Sequence, residues 1–166
     1  VETGSAAASD LISVNAVTTI NVNLENVTQI TGTAGDVSSV YAASGAGFSG
    51  LGNIVSTLSG TATATDITAI EAANGTGTIN GSALTAINGT YAEIAQALTD
   101  LDADPTNFNS TLTAGAENAT DITALEAANG TGTIDGSNLT AINGTAAAVV
   151  QAIADLDTDP TNFNST

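Results

Sequence analysis

The stretch that decides the fold is Asp121–Ser165, DITALEAANGTGTIDGSNLTAINGTAAAVVQAIADLDTDPTNFNS. It is a near copy of the earlier stretch Asp66–Ser110, DITAIEAANGTGTINGSALTAINGTYAEIAQALTDLDADPTNFNS. A diverged first copy begins at Asp10–Thr33. A fixed period of this kind is typical of tandem repeats, whose units bury their apolar faces on one another. The sequence therefore predicts a flexible arm and three repeats, at 1–9, 10–63, 64–118 and 119–166.

Within a unit, short periodic segments alternate with Asn-Gly stops. The second unit is predicted to begin with a helix at Asp66–Ala73, capped by Thr65. A short strand at Thr76–Asn80 and a helical turn at Ser82–Ile87 follow, and the likeness of this turn to the first helix suggests two half-units. The longest helix comes last and carries a single apolar stripe. The matching predictions are a helix at Asp121–Ala128 capped by Thr120, a strand at Thr131–Asp135, a turn at Ser137–Ile142, and longest helices at Ala34–Ala43, Tyr91–Leu101 and Ala146–Leu156, capped by Thr33, Thr90 and Thr145.

These elements predict an α/β tandem-repeat solenoid of ~55-residue units, each with a short parallel strand and two or three short helices. In this arrangement the segments around Val22, Ile79 and Ile134 pair in a parallel ladder, and the longest helices pack along one flank. The alternating residues of Leu11–Leu24 are strand-like. A mainly helical repeat array is the alternative.

The charge balance excludes whole classes of partner. The chain has 17 carboxylates and no Lys, Arg or His, so its formal net charge is −17. Nucleic acid is excluded as a partner because phosphate binding needs cationic side chains. Anionic membrane surfaces are excluded for the same reason. No apolar run is long enough to cross a bilayer. Each carboxylate must therefore be solvated, hydrogen-bonded or neutralised by a bound cation.

The strongest candidate site follows the longest helix in the second and third units. Six of the 17 carboxylates lie in DLDADPTNFN and DLDTDPTNFN. A helix C-terminus disfavours negative charge, and the chain has no cationic side chain to offset it. Oxygen ligands suit Ca²⁺, although a proline replaces the EF-hand glycine, so a solvated acidic turn is the alternative. The candidate metal ligands are Asp100, Asp102, Asp104, Asn107, Asn109, Asp155, Asp157, Asp159, Asn162 and Asn164.

A second signal is the glycosylation sequon, Asn-x-Ser/Thr. Many of these sequons are Asn-Gly-Thr, where the Asn-Gly pair already marks a turn or a helix stop, and structural punctuation is the favoured interpretation. The possible acceptors are Asn26, Asn74, Asn80, Asn88, Asn109, Asn118, Asn129, Asn138, Asn143 and Asn164.

The sequence predicts that the protein is not an enzyme. Without His, Cys or Lys, a Ser or Thr nucleophile has no usual base, and neither a thiolate nor a Schiff base is available. A carboxylate pair could hydrolyse glycosides. Only five aromatic residues are present, however, so there is little surface on which a sugar could stack.

One segment carries a resemblance. The chain reads TGTAGDV at Thr31–Val37, YAASG at Tyr41–Gly45 and GLGN at Gly50–Asn53. These three segments resemble the Thr/Ala/Gly-rich tandem repeats of giant secreted surface proteins of marine cyanobacteria and other bacteria. The close resemblance covers about two dozen residues. It implies an extracellular, repetitive role at the cell surface.

The leading functional prediction is a secreted structural protein, a subunit of an extracellular filament, sheath or surface layer. Its stackable units have no obvious polar capping repeat, so self-association into a homopolymer is expected. Calcium is expected to stabilise it. The alternatives are a calcium-stiffened spacer in a large adhesin and a carbohydrate-binding module.

Overall fold

The computed structural model describes residues 3–165; Val1, Glu2 and Thr166 lie outside this description. The described chain contains six helices, and every strand pairing in it is parallel. The fold is therefore mixed α/β with parallel sheets. The helices are α1 Ala8–Val17, α2 Ala34–Ala42, α3 Ala64–Asn74, α4 Tyr91–Asp100, α5 Ala119–Ala128 and α6 Ala146–Asp155. The strands are β1 Gly4–Ala7, β2 Val22–Asn23, β3 Val27–Gly32, β4 Phe48–Ser49, β5 Val55–Thr63, β6 Ile79–Asn88, β7 Ser110–Thr111, β8 Gly115–Asn118, β9 Ile134–Asp135, β10 Leu139–Asn143 and β11 Asn164–Ser165.

The sheets follow the order of the chain. The largest sheet has the strand order β1-β3-β5-β6, and a second has the order β11-β10-β8. Two small sheets, β2-β4 and β7-β9, pair the short strands. Most of the longer strands lead into a helix that begins within a few residues, as β1 leads into α1 and β5 into α3. Parallel neighbours need such crossover connections.

The helices form a row in which each one contacts the next along the chain. Their starting positions are nearly evenly spaced in the sequence. The helices α3 and α5 begin at equivalent positions of the second and third units, and so do α4 and α6. One period of the sequence therefore contains two strand–helix segments of similar length. They do not follow the likeness between Ser82–Ile87 and the first helix, because Ser82–Ile87 lie in a strand.

Threonine caps begin α2, α4 and α6, as the sequence predicts. The prediction that these are the longest helices is wrong, because they have 9, 10 and 10 residues and α3 has 11. Thr33, Thr90 and Thr145 each accept a hydrogen bond from the backbone N–H of the third helical residue. At Thr90 the capping box is complete, because the Glu93 carboxylate also accepts from the Thr90 N–H at 2.8 Å. The caps of the other two predicted helices lie two residues earlier than expected, at Thr63 in place of Thr65 and at Asn118 in place of Thr120.

The predicted helical turn at Ser82–Ile87 is wrong, because these residues belong to β6. Its counterpart at Ser137–Ile142 is wrong for the same reason, since Leu139–Asn143 form β10. The pairing of β5 with β6 shifts register after Gly60, which leaves one extra residue in β6. This irregularity turns Leu84 and Ile87 to the same buried side although they are three residues apart. A bulged strand thus produced the spacing of a helix.

The N-terminal segment also differs from the prediction. Instead of a flexible arm at 1–9, residues Gly4–Ala7 form β1 and pair with β3, while residues 1 and 2 lie outside the described chain. The strand predicted at Leu11–Leu24 begins as α1, which buries Ala8 and Leu11 and contacts α2. The three-residue spacing of those two buried side chains is helical and outweighs the alternation that follows them.

The predicted ladder of Val22, Ile79 and Ile134 is wrong in its partners. Val22 pairs with Phe48, Ile79 pairs with Ser56, and Ile134 pairs with Ser110. Because each sequence period holds two strand–helix segments, another strand always lies between equivalent positions of neighbouring units. The hydrophobic core is mainly aliphatic, and its largest fully buried side chains are Phe48 and Phe108.

Candidate functional site

The first acidic residue of each candidate metal segment ends a helix and is held by side chains. Asp100 accepts hydrogen bonds from Thr68 Oγ1 at 2.8 Å and from Gln96 Nε2 at 2.7 Å. Asp155 repeats this arrangement with Thr123 Oγ1 at 2.6 Å and Gln151 Nε2 at 2.7 Å. Each threonine lies on the preceding helix. The carboxylate therefore joins two neighbouring helices and receives the donors that the helix C-terminus does not offer.

The second acidic residue joins neighbouring segments through the backbone. Asp102 Oδ2 accepts from the Ile79 N–H at 2.7 Å, and Asp157 Oδ2 accepts from the Ile134 N–H at 2.8 Å. Each acceptor thus lies 23 residues after its donor in the chain. A hydrogen bond between an amide and a charged carboxylate is stronger than a neutral one. These two residues hold one strand–helix segment to the next.

The asparagines of the second unit also join neighbouring segments, but here each acceptor precedes its donor in the chain. Asn107 Oδ1 accepts from the Thr131 N–H and Asn109 Oδ1 from the Thr133 N–H, both at 2.9 Å. One unit earlier, Asn53 accepts from the Thr76 N–H at 2.9 Å. We call this recurring set of side-chain-to-backbone hydrogen bonds the asparagine ladder. The sequence marked Asn107 and Asn109 as metal ligands, and in the structure they join adjacent segments.

The candidate metal residues do not converge on one point. Among residues 3–165, no three acidic side chains lie close enough together to hold a metal ion. Asp104 and Asp159 are exposed, and their side chains have no hydrogen-bond partner within the described residues. Asp104 is nevertheless slightly desolvated by the surrounding protein, and this raises the pKa of its carboxyl above the usual value. The donors on Asp100, Asp102 and their counterparts show that hydrogen bonds already compensate these charges.

The last two candidate ligands differ from their counterparts. Asn162 and Asn164 occupy the places in the third unit that Asn107 and Asn109 occupy in the second. Both are exposed, and within the described part of the chain their side chains have no hydrogen-bond partner. The backbone of Asn164 still pairs in β11 beside β10. Among residues 3–165 the asparagine ladder therefore ends at Asn162 and Asn164, whose side-chain oxygens accept no hydrogen bond.

The two ends of the helix row expose apolar side chains. Val17 and Ile20, at the end of α1, are 86% and 75% exposed, and Val14 is also exposed. At the opposite end of the row, Val150 of α6 is 67% exposed. Apart from Val55, these are all the large exposed apolar side chains of the described chain. The sequence analysis does not mark these residues. It predicts Leu11–Leu24 as a strand, and although it predicts the helix that contains Val150, it does not show which side of that helix stays uncovered.

Each end also has a groove beside its exposed helix. At the first end a groove of about 480 Å³ is lined by residues of β1, α1 and β2. At the other end a groove of about 370 Å³ is lined by residues of α6 and β11 and by the residue that follows β10. The lining residues that matter below are Leu11, Val14 and Val22 at the first end and Val149, Val150 and Ser165 at the second.

A buried carboxylate interrupts the sheet side of the molecule. Glu117 of β8 is 9% exposed and accepts from the Tyr91 N–H at 3.0 Å. Burial raises the pKa of the Glu117 carboxyl, the Tyr91 N–H lowers it, and the charges of Asp121 and Glu93 raise it further. The equivalent position of the preceding unit holds the buried Ala62. Comparison of the two units could have singled out this replacement.

A second buried polar cluster surrounds the hydroxyl of Tyr41. This hydroxyl donates to Asn74 Oδ1 at 2.6 Å and lies 3.1 Å from Ser56 Oγ. Burial raises the pKa of the Tyr41 phenol, and the hydrogen bond with Ser56 lowers it. All three side chains are buried, so the cluster stabilises the fold and offers no open site.

Two of the possible glycosylation sites are excluded by burial. Asn74 and Asn129 are fully buried, and a glycan could not be accommodated there. Both residues end helices, which agrees with the favoured interpretation of Asn-Gly as structural punctuation. Exposed side chains are found at Asn26, Asn109, Asn118, Asn138 and Asn164.

Comparisons with known proteins add no relative. No protein-family model matches the chain, and no curated protein or solved structure is significantly similar to it. Within residues 3–165, no helix has the length and apolar character needed to cross a membrane.

Proposed function

We propose that the chain is a structural protein: an α/β solenoid that associates end to end into an extracellular filament, sheath or surface layer. In this proposal each coil of the solenoid is one strand–helix segment, which spans half of the sequence period. The observation that carries the proposal is the placement of exposed valines and an isoleucine at the two ends of the helix row. Exposed apolar patches on a soluble chain indicate interaction sites.

The edges of the sheets support the same proposal. Within the described chain, β1 pairs only with β3, and β11 pairs only with β10. An edge strand with free backbone groups is a template for pairing with another chain. The two ends are different surfaces, so a contact between them is heterologous, and a heterologous contact that does not close into a ring gives a fibre.

The extracellular location is part of the proposal and rests on the sequence. The chain lacks Lys and Arg, so it has no trypsin site. The segment Thr31–Asn53 resembles repeats of secreted bacterial surface proteins. The hydrogen bonds between consecutive coils, such as those of Asp102 and Asn107, would keep such a rod rigid outside the cell.

Electron microscopy and sedimentation of the purified chain test the proposal. Fibres, or a mean mass that rises with protein concentration, would support it. Monomers at every concentration and ionic strength would refute it, and would favour the second candidate, a stiff spacer in a large adhesin. The observation in favour of the spacer is the net charge of −17, because like charges oppose association at low salt.

Calcium binding and the third candidate function each have their own test. Calcium is proposed to stabilise the assembly by binding the carboxylates near the exposed Asp104 and Asp159. A chelator should then lower the melting temperature and added Ca²⁺ should raise it, whereas no change in either case would remove calcium from the proposal. A carbohydrate-binding module is the weakest candidate, because none of the aromatic side chains among residues 3–165 is fully exposed. Binding on a glycan array would favour it.

A further inference from the structure

The recurring hydrogen bonds between coils specify how two copies would meet. We propose that a second copy of this chain docks with its α1 end on the α6 end of the first, and that Asn162 and Asn164 accept hydrogen bonds from its Thr19 and Asn21 N–H groups. This inference rests on the proposed function, since it concerns the contact that would build the filament. It extends to a second molecule the asparagine ladder already present within one chain.

The donors follow from three equivalent strand starts. Val22, Ile79 and Ile134 each begin a strand, and each N–H donates toward the following coil, at 2.9, 2.7 and 2.8 Å. Thr131 lies three residues before Ile134, and Thr133 lies one residue before it. Their N–H groups donate to Asn107 and Asn109, which precede them in the chain and belong to the asparagine ladder. The residues three and one positions before Val22 are Thr19 and Asn21.

The acceptors and donors are both available. Thr19 and Asn21 are exposed, and within the described chain neither backbone N–H has an acceptor. Asn162 and Asn164 are exposed, and no group among residues 3–165 donates to their side-chain carbonyls. A docked copy would therefore satisfy two donors and two acceptors by bonds of the type that Asn107 and Asn109 make at 2.9 Å.

The helices at the contact are suited to each other. Within the chain each helix packs on the next, and docking would place α1 of the second copy beside α6 of the first. Val14 and Val17 would then face Val150, which removes apolar surface from water. The end helices α1 and α6 each carry one carboxylate, as α2 does, whereas α3, α4 and α5 each carry two. Like-charge repulsion between the two end helices is therefore small for so acidic a protein.

The strands at the two ends also occupy positions of the repeat that follow one another. Gly4–Ala7 precede α1 as Gly115–Asn118 precede α5, and Asn164–Ser165 correspond to Asn109–Ser110. Residues 109–113 bond with β6 before the chain continues into β8. A second copy can therefore place its β1 where the next strand of the series belongs without displacing β11.

Blocking each end separately tests the contact. Val17→Glu should block the α1 end, and Val150→Glu should block the α6 end. Both residues are exposed, so the circular dichroism spectrum should stay unchanged. Each variant alone should be monomeric where the unmodified chain polymerises, because each has only one usable end. A mixture should form species of two copies and nothing longer, since one variant still offers its α6 end and the other its α1 end.

The Asn162→Ala/Asn164→Ala double variant tests the hydrogen bonds. It should raise the concentration at which half of the protein assembles by about tenfold, the loss expected for two ordinary hydrogen bonds. The Ser59→Ala/Thr85→Ala double variant is the matched control. Both of these residues are exposed and lie on β5 and β6, away from the two ends, so their replacement should leave assembly unchanged.

Polymers that form equally well from both valine variants and the double-asparagine variant would overturn this contact while leaving the filament function intact. A mixture of the valine variants that stays monomeric would also overturn it. An unmodified chain that never associates would instead refute the proposed function, and this contact with it.

Discussion

The buried Tyr41 hydroxyl offers the most direct test of how neighbouring strand–helix segments hold together. Tyr41→Phe removes one oxygen from a side chain that is 3% exposed. Its loss leaves Asn74 Oδ1 without its 2.6 Å donor, in a side chain whose Nδ2 already has no partner within the described residues. An unsatisfied buried polar group costs about 1–3 kcal/mol. We expect the free energy of unfolding to fall by about 2 kcal/mol, and the melting temperature by about 4–8 °C for a chain of this size.

Urea denaturation followed by far-ultraviolet circular dichroism would measure this loss, and Tyr91→Phe is the control. The Tyr91 side chain is only partly buried, and its hydroxyl has no hydrogen-bond partner within the described residues, so its removal should cost less than about 0.5 kcal/mol. Ser56→Ala and the double variant complete a cycle. Since Ser56 and Tyr41 share one hydrogen bond at 3.1 Å, their effects should be non-additive by at least about 0.5 kcal/mol. Equal losses for the two Tyr→Phe variants would refute the reasoning.

Three further outcomes follow from single positions. Because burial raises the folded-state pKa of Glu117 above 4.5, the stability of the unmodified chain should fall as pH rises through the interval between 4.5 and that higher pKa. In thermal melts, Glu117→Gln should be more stable than the unmodified chain near neutral pH and should lose this advantage below pH 4.5. Gly132→Ala should destabilise by at least about 1–3 kcal/mol, because the added Cβ would overlap the Phe108 carbonyl oxygen, whereas Gly52→Ala meets no atom and should be nearly neutral in urea titrations. Thr90→Ala should cost about 1 kcal/mol by removing the capping box of α4, again measured by urea denaturation.

The helices were the most predictable part of the fold. Five of the six contain a segment that the sequence marked as helical, because a threonine or an Asn-Gly pair gives the start or the stop directly. The capping box at Thr90 could be read without any tertiary information. The strand β6 could not be read in this way, because the bulge that aligns Leu84 with Ile87 depends on pairing with β5. Register between distant strands is not encoded in the spacing of one strand alone.

The candidate site shows the same division between composition and pairing. The sequence marks Asp100–Asn109 as a concentration of oxygen atoms that need compensation. It assigned them to a cation because no cationic side chain was available. The missing information was that backbone N–H groups at Ile79 and Thr131, 23 or 24 residues away, lie within hydrogen-bond distance. Those donors come within reach only once consecutive strand–helix segments have packed together, so no local pattern reveals them.

The proposed assembly does not require cationic residues, because several carboxylates are compensated by hydrogen-bond donors within the chain. The acidic residues Asp100, Asp102 and Asp157 are held by donors from a neighbouring coil or helix. The exposed apolar residues Val17 and Val150 lie at the ends, on helices that carry one carboxylate each. In the proposed assembly, repulsion would act mainly between the sides of neighbouring rods, where salt screens it over roughly 8–10 Å. End-to-end contact would be opposed least, so the positions of the charges would favour growth along the rod.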